Sequence, residues 1–306
     1  MARRRQTPSI TAMTTAMRAH ARPWTRPELE ERWSRTTLSE ATRLGFVTRI
    51  APAQYVHREH AADPGCRIAA AAAWMAPHGT LSGPAALWLH GWRGTELSHV
   101  DVVLPRDVHL VRPPFVRTLR TEAAIVTLEV EGMPVATPED ATVLAWRRAN
   151  PHDRRGLVLD ILRDGPVDPV RLAARIDAHR RLPDRAELRR LVAISRDGVH
   201  SMLEHLAATD VFVGPEWAEW ERQGEVPTAV GRVLHPDMVH RAARVAVELD
   251  GARFHSADAQ RRRDIERDAL LASVGYSVIR LTWEDVTRRP DWCRQTLRAA
   301  VAARAA

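Results

Sequence analysis

The chain contains no lysine, so all 45 of its basic residues are arginine. Every contact to a phosphate must then come from arginine, histidine, hydroxyls or backbone amides. So uniform an absence points to nucleotide composition rather than to selection at each site. Cysteine is nearly missing too. Cys66 and Cys293 lie far apart and lack metal-ligand spacing, which argues against a structural disulfide or a zinc site and fits a reducing compartment. No apolar stretch approaches the roughly 18 residues a membrane-spanning helix needs. The start MARRRQTPS is basic, but the following TAMTTAMRAH is too polar for a signal-peptide core, so the expectation is a cytoplasmic protein with no membrane association. There is no G-x-S-x-G, no P-loop and no G-x-G-x-x-G, which leaves serine hydrolysis, ATP use and dinucleotide use unsupported. No internal repeat of fixed period is visible.

What is present is 306 residues, 45% of them hydrophobic, enough for two or three domains with packed cores. The net charge of +7 favours a polyanionic partner, though modestly for this length. Residues 1–10 read as a disordered tail. Residues 11–60 read as a winged-helix-like unit: PELEERWS and SRTTLSEATRLG as helices, then two short strands in FVTRIAPAQYVHRE around Ala51-Pro52. A small helical cap on the next domain is the competing reading. Residues 61–150 form an α+β module. Alanine-rich CRIAAAAAWMAPHG and LSGPAALWLHGW predict helices, SHVDVVL, FVRTLRT and AIVTLEVEG predict strands, and a helix starts at Thr137-Pro138-Glu139. Residues 151–199 predict an arginine-rich helical connector with a solvated face. Residues 200–306 alternate strands and helices, with a hairpin in the middle, and predict an α/β layered sheet.

The hairpin carries the chemistry. Val245 to Leu249 is a short β-branched run and predicts a strand, preceded by a strand at Met238 to His240. A four-residue loop, Arg241 to Arg244, pairs His240 with Val245 and places Asp237 opposite Glu248, with Cβ atoms about 4.5–5.5 Å apart. Alternation puts Val245, Val247 and Leu249 on the buried face and Glu248 and Asp250 together on the other. Three carboxylates converging without a lysine are costly unless one is protonated or a cation sits among them. A hard divalent ion held through oxygen, Mg2+ or Mn2+, satisfies them. Exposed acids pairing with Arg244 or Arg253 are the alternative, and Asp250-Gly251 also reads as a turn pair.

The C-terminal segment VAVELDGARFHSADAQRRRDIERDALLASVGYSVIRLTWEDV resembles the very-short-patch-repair-like endonuclease domains of the PD-(D/E)xK superfamily, over roughly residues 200–290. The resemblance implies a restriction-endonuclease-like α/β fold and metal-dependent phosphodiester hydrolysis. It implies Asp237 as the principal metal-binding aspartate, Glu248 as the second acid and Asp250 where many members carry lysine. His255 and Asp264 match downstream polar positions, and Glu204 matches the acid of the first helix. His255 is a candidate acid or base, or a loop histidine. Arg253, Arg261 and Arg267 are candidates for holding a DNA backbone, while Asp264, Arg267 and Asp268 also fit an intrahelical ion-pair ladder. Glu204 also completes a capping box with Ser201. Trp217, Trp220, Trp283 and Trp292 read as core or rim packing. The N-terminal residues 11–150, through QYVHRE, TLSGPAALWLHG, HVDVVLPR and GMPVATPEDATVLAW, resemble the winged-helix domains of abortive-infection antitoxins. That resemblance implies DNA binding and leaves room for a toxin or other protein partner. The expectation is a metal-dependent DNA endonuclease with an N-terminal DNA-binding module. The alternatives are a catalytically silent, antitoxin-like DNA-binding regulator and a protein-interaction scaffold built on Trp74 to Trp92.

Overall fold

Pro8 opens the first helix, α1 (Pro8–Ala19), in a computed structural model that describes residues 8–196, 198–250 and 258–305. Ile10, Met13 and Met17 recur at helical spacing and are all buried, so residues 8–10 belong to a core helix rather than to the expected disordered tail. Strand β1 (Trp24–Thr25) leads into α2 (Arg26–Arg32) through a capping box, in which Thr25 and Glu28 satisfy each other's backbone amides. Helix α3 (Arg35–Arg43) follows, then β2 (Val47–Ala51) and β3 (Gln54–His57). The three strands form an antiparallel sheet of order β1-β3-β2, sealed by Trp24, Leu29, Leu38 and Val47 against α1.

Asp63 caps α4 (Pro64–Met75) through the Cys66 amide. The chain continues as β4 (Thr80–Ser82), α5 (Gly83–Leu89), β5 (Val100–Val103), β6 (Val116–Leu119), β7 (Thr127–Val130), β8 (Met133–Ala136) and α6 (Pro138–Arg148). These strands make a mixed sheet of order β6-β5-β4-β8-β7, with β5–β6 and β4–β8 parallel. Strand β4 had no sequence signal, because three residues are too few to display alternation. Helices α7 (Pro151–Asp164) and α8 (Pro169–Ala178) cover the expected connector. They pack with the module before them: Ile161 enters its core, and Arg175 and His179 converge on the buried Asp140 of α6. The chain divides into two units, 1–189 and 190–306, and α9 (Arg185–Ser195) spans the division.

In the second unit α10 (Val199–Leu206) begins at Gly198, which adopts a φ of +94°. Gly198 rather than Ser201 is therefore the N-cap, and Ser201 lies within the helix. A π-helical turn over 207–211 and a short 3-10 turn lead to β9 (Trp220–Arg222), β10 (Val226–Pro227), β11 (Val233–Leu234), β12 (Met238–His240) and β13 (Val245–Asp250). Next come α11 (Asp258–Ser273), β14 (Ser277–Thr282), α12 (Trp283–Arg288) and α13 (Pro290–Ala305). The main sheet has the order β14-β13-β12-β9; β13 and β14 are parallel neighbours joined through α11. Val239 and Ala246 pack against Leu271 of α11, while Val245, Val247 and Leu249 point to the opposite face and are buried as well. Both faces of β13 are thus covered, and Glu248 lies on the α11 side rather than on open surface. Trp217, Trp220 and Trp283 are buried, whereas Trp292 is exposed under the Arg289 guanidinium.

Candidate active site

The β12–β13 register is the one the loop length predicts. Arg244 closes the four-residue turn with a φ of +49°, and its amide donates to the Arg241 carbonyl at 3.1 Å. His240 pairs with Val245 and Met238 with Val247, so one further step sets Asp237 against Glu248. Parity places both on the face that carries α11.

Asp237 is 7% exposed and its carboxylate is held on both sides. Oδ2 accepts from the Leu249 amide at 2.6 Å and Oδ1 from Gln223 Nε2 at 2.9 Å. Gln223 follows β9 and is fixed in turn, its own amide donating to the Asp237 carbonyl at 3.1 Å. Glu248 accepts from Arg267 Nε at 2.7 Å, and Arg267 Nη2 also donates to the His235 carbonyl at 2.5 Å. Beside it on β14, Arg280 stands opposite Glu248 in register and donates to both oxygens of Asp268, at 2.8 and 3.1 Å. Burial pushes the Glu248 carboxyl above the usual glutamate range. Arg267 pulls it down, and the charge of Asp237 pushes it up again.

The structure therefore joins two of the acids singled out by sequence. Asp250 ends β13, half-buried and opposite Thr282, and Glu204 is half-buried on α10. Among the described residues, no group of three or more His, Cys, Asp or Glu side chains is arranged to hold a metal ion. Arg253 and His255 lie outside the described residues, as do the side chains of Arg261 and Asp264. Arg267 and Asp268 reach across to β13 and β14, respectively, instead of forming a ladder along α11. Gln223 and Arg280 complete the site and were missed. Gln223 sits in a stretch with no strand pattern of its own, and the only signal for Arg280 is its register beside Glu248.

The donor set is all oxygen, which is the chemistry a hard divalent cation selects. Guanidinium charge presently faces Glu248, so a cation placed between Asp237 and Glu248 would have to take over from Arg267.

A family model, REase_MTES_1575, of a restriction endonuclease-like family, matches residues 228–301. The match supports an endonuclease-like domain at the C-terminus, and a nuclease-like family implies DNA as the substrate. It covers about a quarter of the chain and includes Asp237, Glu248, Asp250 and Arg267, while Glu204 and Gln223 precede it. No curated protein matches the chain. No helix among the described residues is long and apolar enough to cross a membrane.

Proposed function

We propose that the C-terminal unit hydrolyses DNA phosphodiester bonds at the corner where Asp237 and Glu248 meet. The observation that carries this reading is their opposition across the β12–β13 register, inside the segment the endonuclease family model matches. Asp237, locked by Leu249 and Gln223, gives a carboxylate of fixed direction. Glu248 supplies the second, with Asp250 at the strand end as a supporting oxygen ligand. Bound between them, Mg2+ or Mn2+ would neutralise phosphate charge and lower the pKa of an attacking water. Arg267 and Arg280 border the carboxylates and would hold the non-bridging oxygens of the scissile phosphate, with Arg253 and Arg261 following the backbone. His255 is assigned as acid or base, and Glu204 as a supporting acid from α10. The helix–strand–helix–helix–hairpin order of residues 8–57 suits a winged-helix module that adds backbone affinity.

The test is cleavage of plasmid and duplex DNA in magnesium, in manganese and in chelator. Asp237→Asn is the informative variant, because asparagine can still accept the Leu249 amide while losing the charge. Asp237→Ala would leave that buried amide unpaired, at a cost of about 1–3 kcal/mol, and would confuse instability with inactivity. Cleavage by Asp237→Asn at the wild-type rate would remove the assignment.

The Arg267–Glu248 ion pair favours a second reading, a DNA-binding regulator whose nuclease fold is silent. Duplex binding with no cleavage in either metal would select it.

A further inference from the structure

The first unit holds a cavity of about 420 Å³ that the nuclease reading does not use. It opens beyond the carboxyl ends of the parallel strands β5 and β6, a position where α/β sheets commonly place ligands. Arg106 follows β5; Arg120, Thr121 and Glu122 follow β6; Arg147 lies in the last turn of α6; Arg180 and Arg181 follow α8. Five arginines thus face one carboxylate. Glu122 answers Arg106 at 2.9 Å and stands 3.9 Å from Arg181. Among the described residues, the guanidinium groups of Arg147 and Arg180 have no hydrogen-bond or ion-pair partner. Arg120 is fixed by the carbonyls of Pro105 and Val108. His179 lines the wall but is committed to Asp140 at 3.2 Å.

Neutralising the end of α8 does not account for Arg180 and Arg181. Arg185 already donates to the carbonyls of Asp177 and His179 at the end of α8, at 3.2 and 2.9 Å. Like charges gathered in a concave space repel unless an anion enters. The planar fork of arginine matches phosphate oxygens two at a time. The volume falls within the roughly 300–1,000 Å³ typical of small-molecule sites and exceeds what one bare ion would fill. We propose that this cavity binds the phosphate groups of a nucleotide-sized ligand, either a free nucleotide or a unit of a nucleic-acid strand.

Calorimetric titration of the full chain with pyrophosphate, with ATP and with a short DNA duplex tests this. It is run in chelator, so that no cation bridges the probe to the acids of the second unit. Pyrophosphate and ATP are expected to bind, and Arg147→Gln and Arg181→Gln are each expected to weaken them about tenfold, the loss of a charge-assisted contact. The Arg181 side chain is 85% exposed, so its variant keeps the fold even if Arg147→Gln does not. Binding of the duplex alone, with the same dependence on both arginines, would assign the phosphates to a nucleic-acid backbone. Failure of all three probes to bind, or binding indifferent to both substitutions, overturns the proposal. Asp237→Asn should bind pyrophosphate as the wild type does, which keeps this result separate from the nuclease assay.

Discussion

Replacing Arg267 with alanine probes how the acidic corner is balanced. Its guanidinium is one-third exposed and the Glu248 side chain 13% exposed. Two unit charges about 4 Å apart attract by about 4 kcal/mol at an effective dielectric near 20. Solvent screening on the exposed side reduces this to about 1–2 kcal/mol. A divalent cation entering between Asp237 and Glu248 must displace that guanidinium. Its removal should therefore tighten cation binding by roughly tenfold, since about 1.4 kcal/mol is a factor of ten. The same change leaves Glu248 beside Asp237 without its counter-charge, so the second unit should lose a similar amount of stability when no cation is present. Calorimetric titration with Mn2+ reads the affinity directly and does not depend on cleavage. Arg241→Ala serves as a control, because Arg241 pairs with Glu221 rather than with either site acid. Unchanged or weaker Mn2+ binding by Arg267→Ala would refute the reasoning, because the guanidinium would then not be competing for the site.

In the first unit, Asp140 is fully buried and accepts from Arg175, His179 and the Val126 amide. Asp140→Ala should cost about 3–5 kcal/mol in denaturant unfolding, as expected when buried cations lose their anion. Burial alone would raise the Asp140 carboxyl, but its bonds to His179, Arg175 and the Val126 amide outweigh it and hold it below the usual aspartate range. Its stabilisation is therefore present above the ordinary aspartate pKa and is lost as pH falls through the lower folded value; an acid titration of Asp140→Asn should lack that loss. Ile10→Ala should destabilise the first unit by about 2–5 kcal/mol in chemical denaturation, since this side chain is 2% exposed in the core. Burial pushes the Cys66 thiol up to about 12 and Cys293 to about 11, so a disulfide reagent at pH 8 should label neither until the protein is unfolded.

The hairpin was legible because it obeys local rules. A β-branched run, a four-residue loop and period-two alternation are enough to place Asp237 against Glu248. The alternation was misleading about cover: β13 is a central strand buried on both faces, so its polar side chains meet α11 instead of solvent. No local rule predicts that Arg267, 19 residues after Glu248, returns to it. Helical spacing made an intrahelical partner equally attractive, and only the packing of α11 on the sheet decides. Gln223 was illegible for a different reason. Strand β9 has three residues and flanks a tryptophan-rich stretch, so neither its pairing with β12 nor the amide it turns toward Asp237 has a sequence signature. Pro8 to Ile10 were read as a tail because they adjoin a basic, polar start, although the Ile10, Met13 and Met17 spacing already marked a buried helical stripe.

Strand β4 sits in the centre of its sheet, yet both its neighbours come later in the chain: β5 about 20 residues on, and β8 more than 50. As synthesis proceeds from the N-terminus, β4 therefore waits with one flank open until Leu81 can meet Val135, and the core closes only when Ile161 emerges. A ribosome stalled between those points would display an unpaired strand edge to its surroundings, the kind of surface that invites aggregation.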